Sequence, residues 1–336
     1  MSNLTIMDIA REAGVSKATV SRVMNNSGSV SPKTRERVLD IIAANKYSPS
    51  ATARNLSRGT SSAIGFVVPE IDNPFFGEML RGVTEITDKN NLTLICYNTD
   101  DSAEKDYRAL ELLKENRVHG ILYTRAVDYS SRTERKRLTK LFQKMEVPVI
   151  FMDRNIGLPN VDGVYFNDYQ GMYDATEALI QKGHRDIGII NGTLDRVLAR
   201  NRQRGYLDAL ESYGIVANEE HMFFGNYRAT KGYELAKELL SLENRPTAVL
   251  TCNNRTSLGF LKALHERGES VPEDIACIGL DRIEVLDVIG NPFNFIDRDA
   301  RKMGQEAVEL LISRMAFPDR PKMEVILDTR LVIKQL

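Results

Sequence analysis

Cysteine and histidine are scarce in this chain of 336 residues, which holds three of the first and four of the second. Cys96, Cys252 and Cys277 are odd in number and widely spaced, which argues against a disulfide framework or a thiolate metal site and predicts reduced thiols in apolar strands. His119, His184, His221 and His265 are scattered, without a recognisable nucleophile or ligand partner, and His184 reads as structural. The motifs G-x-G-x-x-G, Walker A, G-x-S-x-G and H-E-x-x-H are all missing, so no enzymatic activity, metal or cofactor is expected. No apolar run reaches transmembrane length, and the polar start MSNLT offers no signal peptide. A cytoplasmic protein with no membrane partner is expected.

A large excess of one charge is also lacking, since the net charge is −1. That average hides a division. Met1 to Ser61 carries nine Lys and Arg against four Asp and Glu, or +5, and the remainder carries 36 against 42, or −6. A basic head on an acidic body is the electrostatic footprint of a DNA-binding domain joined to one that avoids DNA.

The basic segment opens with TIMDIAREAGVSKATVSRVMN. Ile6, Ile9, Ala10 and Ala13 recur at helical spacing behind Thr5 as N-cap, Gly14 supplies a left-handed turn, and Ser16 caps a second helix with Val20, Val23 and Met24 as its apolar stripe. Lys17, Ala18, Ser21 and Arg22 then lie opposite that stripe, where a recognition helix carries its base contacts. Arg22 suits guanine O6 and N7, Lys17 guanine or phosphate, and the Ala18 methyl a thymine methyl. Thr5, Ser16, Thr19 and Ser21 are candidate phosphate contacts. An ordinary helical hairpin with a solvated face is the alternative. Ser31 and Pro32 open a third helix with Val38, Leu39, Ile41 and Ile42 on its buried side, and Ser31, Thr34 and Tyr47 are further phosphate candidates. Ser50 to Ser57 has the length of about two helical turns, too short for stability alone in water.

The run AGVSKATVSRVMN resembles the signature of the lac repressor family of bacterial transcription regulators, and the similarity continues through the whole chain. The resemblance implies that the positions of Lys17, Ala18 and Arg22 read the major groove. It implies a hinge helix ordered in the dimer on operator, with Leu56 as a minor-groove wedge and Ala53 beside it. It further implies a homodimer on a pseudopalindromic double-stranded operator, a small-molecule effector, and a body like the periplasmic sugar-binding proteins, with three crossovers between lobes.

From Ala63 short apolar runs alternate with amphipathic helices, which predicts an α/β body of two doubly wound parallel-sheet lobes behind an all-α helix-turn-helix domain. The expected division is residues 1–48 for the DNA-binding domain, 49–61 for hinge helix and linker, and 62–336 for the body. Within it the first lobe is expected at about 62–160 and 293–322, and the second at about 161–292 and 323–336.

In open α/β sheets ligands bind beyond the carboxyl ends of the strands. Those positions hold Asp72, Asn73, Phe75 and Phe76, then Asp153 and Arg154, and in the second lobe Arg202, Asn253 and Asp281. Aromatic faces with Asp, Asn and Arg suit a sugar, although Phe75 and Phe76 also fit a helix-start core and Asp153 and Arg154 a mutual ion pair. NPFF and DR resemble the sugar contacts of ribose-binding proteins and sugar-responsive repressors, which implies effector roles for Asn73, Phe75, Phe76, Asp153, Arg154, Arg202, Asn253 and Asp281. Arg298 stands where the family often has Gln. With Arg154 and Arg202 it favours an anionic effector, unless Asp153 and Asp281 neutralise the arginines, in which case a neutral sugar fits. The expected function is a sugar-controlled transcriptional regulator, a repressor of carbohydrate-metabolism genes. A receptor without a DNA role, a non-sugar effector and a protein co-regulator are the alternatives.

Overall fold

The computed structural model describes residues 5–24, 27–45, 63–126, 132–155, 158 and 160–335, in two units that meet between Ser62 and Ala63. The first unit holds α1 (Ile6–Glu12), α2 (Lys17–Met24) and α3 (Pro32–Ala44). Thr5 caps α1 through a reciprocal box with Asp8, and Gly14, at φ 62°, makes the turn. Ile9, Ala10, Ala13, Val20, Val23 and Val38 form the core, with Ile41, Ile42 and Met24 packed against it. Six buried apolar side chains make a small core. Leu39, expected on the buried side of α3, is 48% exposed. Adjacent helical residues point about 100° apart, so with Val38 facing the core, and Ile41 and Ile42 one turn on beside it, Leu39 turns outward.

The second unit is built from β1 (Ala63–Val68), α4 (Pro74–Lys89), β2 (Thr93–Asn98), α5 (Ala103–Glu115), β3 (Ile121–Tyr123), α6 (Arg132–Met145), β4 (Val149–Met152) and β5 (Asp162–Phe166). It continues through α7 (Asp168–Gln181), β6 (Ile187–Gly192), α8 (Val197–Ser212), β7 (Met222–Gly225), α9 (Ala229–Leu240), β8 (Ala248–Thr251), α10 (Asn254–Glu266) and β9 (Ala276–Leu280). It ends with α11 (Glu284–Val288), β10 (Asn294–Asp297), α12 (Ala300–Ala316), β11 (Glu324–Leu327) and β12 (Arg330–Val332). Two six-stranded sheets result, ordered β11-β5-β4-β3-β1-β2 and β12-β10-β9-β8-β6-β7. All pairings are parallel except that of β12 with β10. Central strands such as β1, β6 and β9 are buried along their whole length, as helices on both faces of a parallel sheet require.

Three strands differ from the expected division. β5, expected to open the second lobe, stays in the first sheet, because a strand's sheet is set by the neighbour it bonds and β5 pairs in parallel with β4 from Ile150↔Asp162 to Met152↔Val164. β10, expected in the first lobe, pairs with β9 and β12, whereas β11, expected in the second, pairs with β5. The chain therefore crosses between lobes after β5, after β10 and after β11, which agrees with the three crossovers implied by the resemblance.

The first lobe takes α12 back onto α4 at very short range. A Cβ on Gly82 would sit 1.9 Å from the Arg301 carbonyl oxygen, and one on Gly304 2.2 Å from that of Met79. The backbones touch there, and only glycine fits. Of the cysteines, Cys252 and Cys277 are buried, Cys96 is exposed on β2, and all three are free thiols. His184 bonds the Thr247 hydroxyl at 2.9 Å, in keeping with a structural role.

Candidate functional site

In the head, packing sorts the α2 residues into two sets. Val20 and Val23 are buried, and Lys17, Ala18 and Arg22 are exposed, with Ser21 partly so. Of the hydroxyls expected at phosphates, those of Thr5, Ser16, Thr19, Ser31 and Thr34 are engaged in caps. Thr5 Oγ1 donates to Asp8 Oδ2 at 2.6 Å, Ser16 Oγ pairs with Thr19 Oγ1 at 2.9 Å and accepts from the Thr19 N–H, and Ser31 does the same with Thr34 at 2.8 Å. These groups stiffen the starts of all three helices and hold the exposed face of α2 in place. Tyr47, Ala53 and Leu56 lie outside the described residues.

In the body, the carboxyl ends of the strands converge on a cleft between the lobes. Asn73, Phe75, Phe76, Asp153, Arg154, Arg202, Asn253, Asp281 and Arg298 all line it, joined by Glu70, Asp101, Leu198, Asn226, Tyr227 and Arg228. Asp72 is the exception. Its side chain is 74% exposed and pairs with Arg255 Nη2 at 2.9 Å on the rim, because Asn73 turns inward to cap α4 and the residue before it faces out.

Arg298, on the second crossover, is the centre of the site. Its Nε and Nη2 bind the two oxygens of Asp281 at 2.8 and 2.9 Å, its Nη1 binds Asp153 at 2.9 Å, and Asp168 lies 3.6 Å away. Its guanidinium stacks 4.3 Å from the Phe75 ring centre and 5.2 Å from that of Phe166. Burial alone would weaken its charge, but the carboxylates of Asp281, Asp153 and Asp168 outweigh it and raise its pKa. Asp153 and Asp281 occupy equivalent places in the two lobes. Each follows its strand, each has positive φ (60° and 72°), and each gives its N–H to the next strand's carbonyl, Val164 and Ile296. A non-glycine residue held in that region at a pocket marks a position where backbone strain is accepted to aim a side chain.

The other arginines are matched as closely. Arg202 donates to the Cys252 carbonyl at 2.8 Å and to both oxygens of Asp168 at 3.2 and 3.3 Å, and its buried Nε has no hydrogen-bond partner among the described residues. Arg154 donates to Asp101 at 2.8 Å and to the carbonyls of Arg125 and Ala126. Four arginines on the wall (154, 202, 228, 298) thus face four acids (Glu70, Asp101, Asp153, Asp281), with buried Asp168 behind them. Burial pushes the Asp168 carboxyl up, against the pull of Arg202 and Arg298. Asn73 accepts from the Phe75 N–H and, across the cleft, from Asn254 Nδ2 at 2.8 Å, while donating to Glu70. Asn253 caps α10 and donates to the Tyr227 carbonyl. Phe75 meets Phe76 edge to face at 5.2 Å.

Asp168, Glu70, Asp101 and Arg228 were not anticipated. The signal was present, since they follow β5, β1, β2 and β7, and the strand-end rule applied to every strand reaches all four.

Comparison with known proteins agrees with both units. A family model of bacterial regulatory proteins of the lacI family matches residues 5–50, and one of the periplasmic binding proteins and sugar binding domain of the LacI family matches residues 61–334. The chain belongs to the LacI family. Its relatives include the HTH-type transcriptional repressor PurR of Mannheimia succiniciproducens, 34% identical over 98% of both chains, and that of Vibrio atlanticus, 36% identical over 95% of this chain and 94% of the other. Among solved structures, the lac repressor dimer bound to operator and the anti-inducer ONPF superposes with a TM-score of 0.85 at 27% identity over 99% of each chain. A cellobiose complex of the transcriptional regulator CelR gives 0.74 at 27% identity over 98% and 99%. As a LacI-family protein this chain is a DNA-binding transcriptional repressor, a non-enzymatic class.

Proposed function

We propose that this LacI-family repressor controls carbohydrate-metabolism genes in the cytoplasm, as a homodimer on a pseudopalindromic operator, and responds to a neutral sugar or sugar derivative held between its lobes. The division is 1–48 for the head, 49–61 for the hinge helix and linker, and 62–336 for the body. The exposed set Lys17, Ala18 and Arg22 on a capped α2 supports base reading by that face. A two-fold dimer would set one head on each half of a palindrome, and the similar lac repressor structure is a dimer bound to operator. Among the described residues no helix is long and apolar enough to cross a membrane.

One observation carries the choice of effector: the arginines of the cleft are already matched by carboxylates. An anion would have to displace a bidentate, buried Asp281 from Arg298 and would meet Asp153 and Glu70. A neutral polyol meets no such repulsion, and the unpartnered Arg202 Nε, the Asp153 and Asp281 oxygens and the Phe76 ring are the kinds of group it uses. The CelR–cellobiose neighbour and a LacI-family regulator from Enterococcus faecium with bound ribose, 28% identical with a TM-score of 0.72, point the same way.

The test is a thermal-shift panel of neutral sugars, sugar acids and sugar phosphates at millimolar concentration. Ligand at about 100 times its Kd stabilises by roughly 2.7 kcal/mol, or about 4–5 °C for a domain of this size. The expected result is a shift with a neutral sugar. Shifts confined to the acids and phosphates would reject neutrality, and no shift with any compound would reject a sugar effector.

A further inference from the structure

We propose that Arg228, with three carboxylates of the opposite lobe, forms an inter-lobe clasp that makes closure of the cleft dependent on ionic strength. Arg228 lies just ahead of α9 in the second lobe. Its Nη1 reaches Glu70 Oε1 at 2.7 Å, and its Nη2 reaches Asp100 Oδ1 and Asp101 Oδ2, each at 3.3 Å. Those acids follow β1 and β2 in the first lobe. Arg255, at the start of α10, repeats the pattern with Asp72 at 2.9 Å and Glu70 at 3.8 Å.

The polarity is the same throughout. Both cations belong to the second lobe and all four anions to the first, so the lobes attract one another across the rim before any side chains touch. Strands, helices and the Arg298 centre do not need this arrangement, and yet the backbone bends to provide it. Asp100 and Asp101, at φ 52° and 50°, and Tyr227, beside Arg228, at φ 66°, all adopt the left-handed conformation that L side chains rarely take. Opposed left-handed residues therefore present the charges on both sides of the gap.

Salt acts on such a clasp and spares the interior. Arg228 is 30% exposed and Asp100 54%, whereas Arg298 is 3% exposed. The Debye length is about 10 Å at 0.1 M salt and about 3 Å at 1 M, so partly exposed rim charges are screened over that range and the buried ones far less. The inference rests on the effector reading only for its consequence, that a neutral ligand would bind with salt-dependent affinity although it carries no charge.

The experiment uses the full chain with no ligand added. Spin labels at D88C and E238C, exposed positions on α4 and α9, in a C96S background and diluted with unlabelled chain, report the distance between lobes by double electron–electron resonance. Raising salt from 50 to 500 mM is expected to lengthen the wild-type distance. R228E is expected to lower the closed-to-open ratio about fivefold or more at low salt, the scale of a charge network and not of one exposed pair, and to reverse the sign of the salt response, because the repulsion it sets up against Glu70, Asp100 and Asp101 is itself screened. R228K is expected to keep the response and R228Q to lose it, since charge and not shape is at work. Identical distances in wild type and R228E at both salts would overturn the clasp, and so would loss of the response in R228K. No sugar enters this measurement, so a negative thermal-shift panel leaves it standing, and a failed clasp leaves the panel's result untouched.

Discussion

Replacing Arg298 with methionine tests the electrostatic account of the cleft most directly. Methionine keeps much of the length and the stacking on Phe75 and Phe166 but removes the guanidinium that Asp153, Asp281 and Asp168 share. The side chains of all three acids are under 9% exposed, so water cannot take over its role without opening the site. Breaking a buried pair by deleting one partner typically costs about 3–5 kcal/mol, because the remaining charge stays buried and uncompensated. The 274 residues from Ala63 to Leu336 unfold with an entropy of roughly 0.6 kcal/mol per kelvin at about 2.1 cal/mol/K per residue, so R298M is expected to lower the main transition by about 5–8 °C. Circular dichroism on heating measures it.

The pH dependence sharpens the test. Asp168 already titrates above its ordinary value of 3.8, because burial outweighs Arg202 and Arg298. Removing one of those cations pushes it further up. A carboxyl raised in the folded state binds its proton more tightly there than in the unfolded chain. Its contribution to stability is therefore complete below 3.8 and is lost as pH rises through the folded value. The deficit of R298M against wild type should thus shrink as pH falls from 7 towards 4. A deficit under about 2 °C, or one that widens in acid, would refute the reasoning that Arg298 neutralises the cleft.

Other substitutions separate the remaining roles. R22A should weaken operator binding by about 1–3 kcal/mol with little change on random DNA, read by fluorescence anisotropy at fixed salt; equal losses on both would remove Arg22 from base reading. On α4, G82A and G77A should move in opposite directions. The Gly82 methyl would collide with the Arg301 carbonyl and cost about 1–3 kcal/mol or more, while exposed Gly77 has nothing within 4 Å and should gain about 0.5–1 kcal/mol from helix propensity. Thermal melts of the pair with the same sign would contradict the close approach of α4 and α12. D72A should leave sugar affinity within about threefold by calorimetry, because Asp72 takes no part in the cleft wall and its exposed pair with Arg255 adds little to closure beside the Arg228 network.

Local order was readable from the sequence because its causes are local. Thr5, Ser16 and Ser31 cap the helices they precede, and alternating apolar runs and amphipathic helices fall where strands and helices form. Lobe membership was not readable in the same way. β5 and β10 have the same buried apolar pattern as any neighbour, and nothing within DGVYF or NFID says which sheet it will join. That is decided by which strand lies beside it in the folded sheet, β4 for β5 and β9 for β10, which is a tertiary fact.

The same distinction explains the cleft. Listing residues beyond strand ends found most of its wall, because parallel topology puts those ends together whichever lobe a strand belongs to. Charge balance could not be read from that list, since it depends on which acid meets which arginine. Arg298 with Arg154 and Arg202 favoured an anionic ligand, unless Asp153 and Asp281 neutralised them. Between Asp153 of one lobe and Asp281 of the other, Arg298 becomes a pin that both lobes hold, and Asp168 ties it to Arg202. Two of the three strands misassigned by sequence feed a residue into that cluster: Asp168 follows β5, and Arg298 follows β10. The observed topology thus adds Asp168 to Asp153 and Asp281, which follow the correctly placed strands β4 and β9, and the three acids together surround Arg298.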